Sequence, residues 1–229
     1  MKKIIFLIKS NSSFYVIIFY FFNKLLNIFL KRRIIKFKRQ HELILSNKKI
    51  TNDYFSSKAY YFYYYLSKLE SNFKYLEIGS YEGNSALLVS NLFIRSQIHC
   101  VDNWVGTTEY NNHNFLKIEE NFDYNTRNKN NILKTKNTSD NFFNQNKIIF
   151  DAIYIDGYHF APQVYKDCNN AWKYLKKNGI LICDDYIWNG YSKISENPCY
   201  AINKFLKEIK NSYRLLYVSN YQIFIKKIL

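Results

Sequence analysis

Residues 75–88, Tyr-Leu-Glu-Ile-Gly-Ser-Tyr-Glu-Gly-Asn-Ser-Ala-Leu-Leu, constrain the fold more than any other part of the chain. Apolar Tyr75, Leu76 and Ile78, with no turn residue before Gly79, predict a short buried strand. Ala86, Leu87, Leu88 and Val89 predict a helix directly after it. Two glycines stand between them. Gly79 at the strand end permits a tight turn with positive φ, and Gly83 allows backbone to approach a ligand closely. Such a corner aims helix N–H groups at the C-terminal edge of a sheet, where an anionic group binds. The spacing is G-x-x-x-G rather than the dinucleotide G-x-G-x-x-G, and Glu77 and Glu82 would repel a pyrophosphate. A ligand carrying both an amino group and a carboxylate suits this mixed corner better. An ordinary strand–turn–helix corner would contain the same glycines, so the downstream partners decide.

Downstream, strands and helices alternate. Residues 97–102 read as a second strand, 132–135 as a third, 148–156 as the clearest strand and 179–186 as a fifth. Helices are expected over about 83–94, 112–122, 162–177 and 198–211, with a short one opening at Thr138-Ser139. Asp53 is placed to cap a helix over about 54–70, where tyrosines recur at helical spacing. Strands 213–219 and 221–226 close the chain as a hairpin turning at Ser219-Asn220. The order predicts an α/β fold with a doubly wound, Rossmann-like sheet. It is mostly parallel, with an antiparallel C-terminal strand and helices on both faces.

Charge divides the chain. Residues 1–50 hold twelve Lys or Arg and a single acid, Glu42, leaving only +4 of the net +15 for the remainder. A nucleic-acid groove would need its basic residues around the site, so no nucleic-acid partner is expected. Two domains follow: a basic, apolar arm at 1–50 and a globular domain at 51–229. Within the arm, residues 14–30 are strongly apolar but shorter than the roughly 20 residues of a spanning helix, and Lys24 interrupts them. At 100° per residue, Ser13, Tyr20, Asn23, Lys24, Asn27 and Lys31 fall on one side as a narrow polar stripe. This helix is expected to lie on an anionic membrane surface; packing on its own domain or on a partner, and spanning, are the alternatives. Residues 34–52 read as a polar connector. Cys100, Cys168, Cys183 and Cys199 stand far apart without a C-x-x-C, which argues against zinc and for a reducing cytoplasm. A homo-oligomer is compatible with all of this.

Three predicted strands end in acids: Asp102, Asp156 and the pair Asp184-Asp185. Asp102 follows Gly79 by a little over about 20 residues, the distance at which an acid ending the next strand reaches a ribose diol. Asp156, Asp184 and Asp185 would share the C-terminal edge of a parallel sheet, where their repulsion calls for a hard divalent cation such as Mg²⁺. Helix capping by one or more of them is the alternative.

With these residues in order, Leu-Glu-Ile-Gly-Ser-Tyr-Glu-Gly-Asn-Ser-Ala at 76–86, Val-Asp at 101–102, Tyr-Ile-Asp-Gly-Tyr-His at 154–159 and Gly-Ile-Leu-Ile-Cys-Asp-Asp-Tyr at 179–186, the chain resembles class I S-adenosylmethionine-dependent methyltransferases. The nearest subgroup looks like the small-molecule O-methyltransferases that act on sugars and macrolide sugars; the resemblance spans about residues 54–226. It implies that Glu77, Gly79, Ser80, Tyr81, Gly83 and Ser85 surround the methionine moiety, that Asp102 binds the ribose and that Thr138 and Ser139 lie by the adenine. Asp156 would border the cofactor and, with Asp184 and Asp185, match the metal positions; His159 and Asp156 would be catalytic. His159 stands where the catechol enzymes carry a lysine, and Asp185 where they carry Asn. The implied reaction is metal-assisted methyl transfer to a hydroxyl of a sugar-like acceptor, in the cytoplasm or peripherally at the inner face of a membrane. A non-catalytic scaffold on the same fold, or an RNA methyltransferase, are the rivals. Trp104, Trp188 and Tyr191 are the residues expected to stack on a sugar or to pack as a lid.

Overall fold

In the computed structural model, residues 2–106 and 114–229 are described; the start of the expected helix at 112–122 therefore lies outside the described residues. The chain forms two compact units, residues 30–146 and residues 1–29 with 147–229.

In the unit 30–146, three parallel strands run in register: β1 (Lys74–Ile78), β2 (Gln97–Asp102) and β3 (Ile132–Lys136), with Leu76 opposite His99 and His99 opposite Leu133. The linking helices are α4 (Asn84–Leu92), between β1 and β2, and α5 (Phe115–Thr126), between β2 and β3; α6 (Ser139–Gln145) follows β3. Tyr75, Leu76, Ile98, Cys100 and Val101 are buried with Leu87, Leu88 and Phe122, so the strand residues read as near-continuous apolar runs, as in a sheet covered on both faces. The expected helix at 54–70 is the shorter α3 (Ala59–Leu66), because Asp53 caps a preceding turn through the Phe55 and Ser56 amides instead.

In the other unit, β4 (Phe150–Ile155) pairs in parallel with β5 (Leu175–Cys183), which pairs antiparallel with β7 (Ile223–Lys227), itself antiparallel to β6 (Tyr213–Val218). Helices α7 (Ala161–Tyr174) and α8 (Pro198–Glu208) complete it. The seven strands make a mixed sheet in the order β3-β2-β1-β4-β5-β7-β6, the doubly wound arrangement expected. Two boundaries move. Helix α7 ends at Tyr174 rather than at Asn178-Gly179, because Leu175 turns into the strand beside Phe150. The β6–β7 turn occupies 219–222, closed by Ser219 N–H to the Gln222 carbonyl and by the Gln222 amide to Ser219 Oγ.

The N-terminal residues form α1 (Lys2–Lys9) and α2 (Phe14–Leu45), a single helix of 32 residues that continues through the stretch expected as a connector. Its first part is anchored by the polar stripe. Val16, Tyr20 and Asn23 are buried, Tyr20 donates to Asn220 Oδ1 at 2.8 Å and Asn27 to the Tyr217 hydroxyl at 3.2 Å. Leu7 and Ser10 are also buried, and Asn203 donates to the Ser10 carbonyl and to Ser12 Oγ.

Candidate active site

The glycine corner is built as its sequence requires. Gly79 and Gly83 have φ of 86° and 82°, and between them Tyr81 is also left-handed at 47°. A Cβ on Gly83 would stand 3.1 Å from the Phe122 ring, so the position is closed to side chains by φ and by packing. The turn is held from outside by Glu82, which accepts from the Thr51 amide (2.7 Å), the Thr51 hydroxyl (2.8 Å) and Asn121 (2.8 Å). Asn125 donates to the Glu82 carbonyl. Nothing in the sequence assigns a role to Thr51, Asn121 or Asn125; an acid inside the glycine turn, Glu82, is the one signal there that partners are needed, and the structure buries it.

Glu77, at the end of β1, is fully buried. Burial pushes its carboxyl up to about 7, partly offset by the neighbouring Ser85, Tyr75 and Ser80 hydroxyls. Tyr75 donates to Oε2 at 2.9 Å, whereas Oε1 and Ser80 Oγ are buried with no hydrogen-bond partner among the described residues. Two unfilled polar atoms beside a left-handed glycine turn fit a ligand with a donor such as an ammonium. Ser85 lies in the first turn of α4. Asp102, ending β2, accepts from the Tyr81 amide through Oδ2 (3.0 Å) and from the Trp104 amide through Oδ1 (2.8 Å), bonds that fix the carboxylate against the corner. Burial raises its carboxyl, against the opposing backbone amides. Thr138 is the N-cap of α6, accepting from the Asn141 amide, and Ser139 is its first residue. Trp104 does not present a stacking face: it is buried, donates to the Tyr81 carbonyl at 2.9 Å and packs on Phe122 at 4.9 Å, because its left-handed φ of 49° turns it inward.

The other unit carries the second cluster. Asp156 follows β4, His159 lies just before α7 and Asp185 follows β5; their ligating atoms all lie within 4.8 Å of one another. His159 Nε2 is 2.8 Å from Asp185 Oδ2. Asp185 takes φ of 52°, and its amide donates to Asp184 Oδ1 at 2.8 Å. Asp184 itself is buried and otherwise engaged: its Oδ2 accepts from Tyr154 and, at 3.2 Å, from Gln222. The same Tyr154 hydroxyl lies 2.7 Å from Asp156 Oδ2, so its one proton is shared between the two carboxylates. Burial and the two carboxylates raise the Tyr154 hydroxyl well above its usual range, so it remains a proton donor. The structure thus groups Asp156, His159 and Asp185, and ties Asp184 behind them. An aromatic wall adjoins the group: Trp188 lies 4.9 Å from His159 at 31°, Tyr191 is 5.5 Å from Trp188, and Phe160 is 5.6 Å from Tyr191.

A doubly wound sheet in this order, a glycine corner with a buried acid before it and an acid ending the next strand make up the Rossmann-like methyltransferase fold. Residues 76–186 match the family model described as a methyltransferase domain. No curated protein sequence matches the chain. Among solved structures, a candidate O-methyltransferase from Klebsiella pneumoniae is 11% identical, with a TM-score of 0.58 over 94% of this chain and all of that one. The O-methyltransferase from Bacillus cereus in complex with SAH is 12% identical, with a TM-score of 0.53 over 93% of this chain and 99% of that one. A candidate rRNA methylase from Clostridium thermocellum is 14% identical, with a TM-score of 0.58 over 79% of this chain and all of that one. At these identities the likeness is one of fold.

Proposed function

We propose that the protein transfers the methyl group of S-adenosylmethionine to a hydroxyl of a sugar or other polar small molecule, assisted by a divalent cation. The observation that carries this reading is the convergence of Asp156, His159 and Asp185 within 4.8 Å beside Trp188 and Tyr191. Two carboxylates around one point are oxygen donors for one hard cation, the imidazole beside them is a base, and a flat aromatic wall suits the apolar face of a ring.

On the cofactor side, Glu77 would receive the amino group at Oε1, the turn from Gly79 through Ser80 and Tyr81 to Gly83 would hold the methionine moiety, and Ser85 its carboxylate. Asp102 would bind the ribose hydroxyls, with Thr138 and Ser139 at the adenine. On the acceptor side, Asp156 and Asp185 would hold the cation, Mg²⁺ being the ion that carboxylate oxygens favour, while Asp184 would position them through Tyr154. When bound, such an ion lowers the pKa of an acceptor hydroxyl and fixes its direction. His159 takes the hydroxyl proton, and the Asp185 carboxylate at 2.8 Å stabilises the resulting imidazolium. The oxygen bonds to the methyl carbon as the carbon–sulfur bond breaks, leaving a methyl ether and the neutral thioether. Orientation of the two reactants supplies much of the acceleration. We place the enzyme in the cytoplasm, peripheral to a membrane.

Exhaustive chelation should abolish transfer to a panel of sugars while leaving cofactor affinity intact, and Mg²⁺ should restore it. Asp156→Asn should imitate the chelator, and His159→Ala should slow transfer without loss of the ion. Full turnover after chelation would refute the cation and leave the His159–Asp185 pair as the base. Cofactor uptake without turnover on any hydroxyl acceptor would favour the scaffold reading.

A further inference from the structure

Helix α2 is amphipathic in the opposite sense to a core helix. The middle of its polar stripe faces the protein, while Ser13, Lys24 and Lys31 on its edge are exposed: Tyr20 and Asn27 are bonded to Asn220 and Tyr217, and Asn23 is buried. Its apolar side faces outward, with Phe14 78%, Phe22 59%, Leu25 59%, Ile28 66% and Phe29 83% exposed, joined by Ile18 and Phe21. Helix α1 adds exposed Ile5 and Ile8. A water-soluble helix places these faces the other way round, and contiguous apolar surface of this kind marks a contact with protein or membrane.

Charge selects the membrane. Residues 1–41 contain no acid, and nine of their ten basic residues are Lys2, Lys3 and the seven from Lys24 to Arg39. At 100° per residue Arg32, Arg33, Lys36 and Arg39 continue the same angular sector that Phe14, Ile18, Phe22, Leu25 and Phe29 occupy. An apolar face running into a cationic one matches acyl chains beside anionic headgroups. By length and composition alone α2 could cross a bilayer. Its bonds to Asn220 and Tyr217 argue otherwise, since encircling the helix with lipid would carry the β6–β7 hairpin into the hydrocarbon.

We propose that the outward face of α1 and α2 docks flat on an anionic bilayer without spanning it, so that the acceptor is an amphiphile whose hydroxyl-bearing head stands at the membrane surface. The side of these helices opposite the docking face is bonded to the segment between Asp185 and Trp188 and to the β6–β7 turn. Ser12 Oγ is 3.4 Å from the Tyr186 hydroxyl, and Asn220, which receives Tyr20, also accepts from the Ile187 amide between Asp185 and Trp188. The substrate class rests on the methyl-transfer reading above; the docking does not.

The test uses the full chain with vesicles of phosphatidylcholine alone and with phosphatidylglycerol added. Cosedimentation is expected with the anionic vesicles at low salt, weakened several-fold by raising the salt and released by alkaline carbonate. The exposed triple variant Phe22→Ser, Leu25→Ser, Phe29→Ser should lower partitioning by about a hundredfold with unchanged circular dichroism and cofactor affinity. A chain that stays in the supernatant, or a carbonate-resistant chain, overturns the proposal. So does a lipid-free dimer that the triple variant dissociates, which would assign the face to a second copy. Vesicle binding with no methyl transfer to glycolipid acceptors would overturn the substrate class and leave docking in place, and cofactor affinity, measured separately, reports on the methyltransferase reading.

Discussion

Glu77 gives the sharpest test, because one buried carboxyl links stability and cofactor binding with opposite signs. It is moved from 4.5 to about 7 mainly by burial. Between those values the folded chain holds a proton that the unfolded chain has released, so stability falls as pH rises through this window and is level above it. The loss amounts to about 3 kcal/mol once both states are ionised. Glu77→Gln keeps the shape and an acceptor for Tyr75 but cannot ionise. At about pH 8 the ligand-free variant should therefore resist urea better than the native chain by up to roughly 3 kcal/mol, and at about pH 5 most of that difference should vanish. Cofactor affinity should move the other way: an ammonium beside Oε1 favours the carboxylate, so native binding tightens between pH 6 and 8 by about tenfold per pH unit at most, and the variant's does not. Denaturant titration and calorimetry at both pH values measure the two effects. An equal stability difference at both, or parallel affinity profiles, would refute the idea that Glu77 is a strained carboxylate awaiting a cationic ligand.

Gly83→Ala should destabilise the chain by about 1–2 kcal/mol in urea, from the left-handed backbone and the Phe122 ring 3.1 Å away. Asp102→Ala should weaken S-adenosylmethionine binding by about 1.5–3 kcal/mol in calorimetry; unchanged affinity would remove it from the ribose site. Deleting residues 1–29 should cost at least about 3 kcal/mol or abolish soluble expression, since Leu7, Val16 and Tyr20 are buried and Asn203 loses both Ser10 and Ser12. A truncated chain melting at the native temperature would show the arm to be separable.

The order of strands and helices was legible because each strand carries its own apolar run and each following turn its own glycine, asparagine or acid. Local chemistry, not long-range contact, sets those signals. The glycine corner and Asp102 were legible for the same reason: left-handed turns and strand-end acids are written in single residues. Element ends were less so. The register of β5 against β4 shortens α7, and that decision lies in a partner strand rather than in the helix. The continuation of α2 to Leu45 was hidden because the basic run from Lys31 to Arg39 masks the stripe of Ile34, Phe37, Ile44 and Leu45; Phe37 stacks on Tyr63 at 5.0 Å, and His41, held by Asn84 at 2.6 Å, and Leu45 are buried there.

Which of two adjacent acids enters a site is a harder question than which strand ends there, and Asp184 and Asp185 show why. Neighbouring residues leaving a strand point in opposite directions, so only one of the pair can face the same point as Asp156. The choice is made by groups that no spacing rule connects to them. Tyr154 lies two residues before Asp156 on the same strand face and its hydroxyl sits between Asp156 and Asp184, sharing its one proton; Gln222, in the β6–β7 turn, also donates to Asp184. With that carboxylate satisfied, the left-handed turn at Asp185 sends the second acid toward His159. Helix α2 is settled in the same way, by its partners. A polar stripe was visible in its sequence, but a stripe says only that two faces differ. Bonding partners at Asn220 and Tyr217 decide that the side carrying Tyr20 and Asn27 is the inner one, and this leaves Phe14, Phe22, Leu25 and Phe29 exposed.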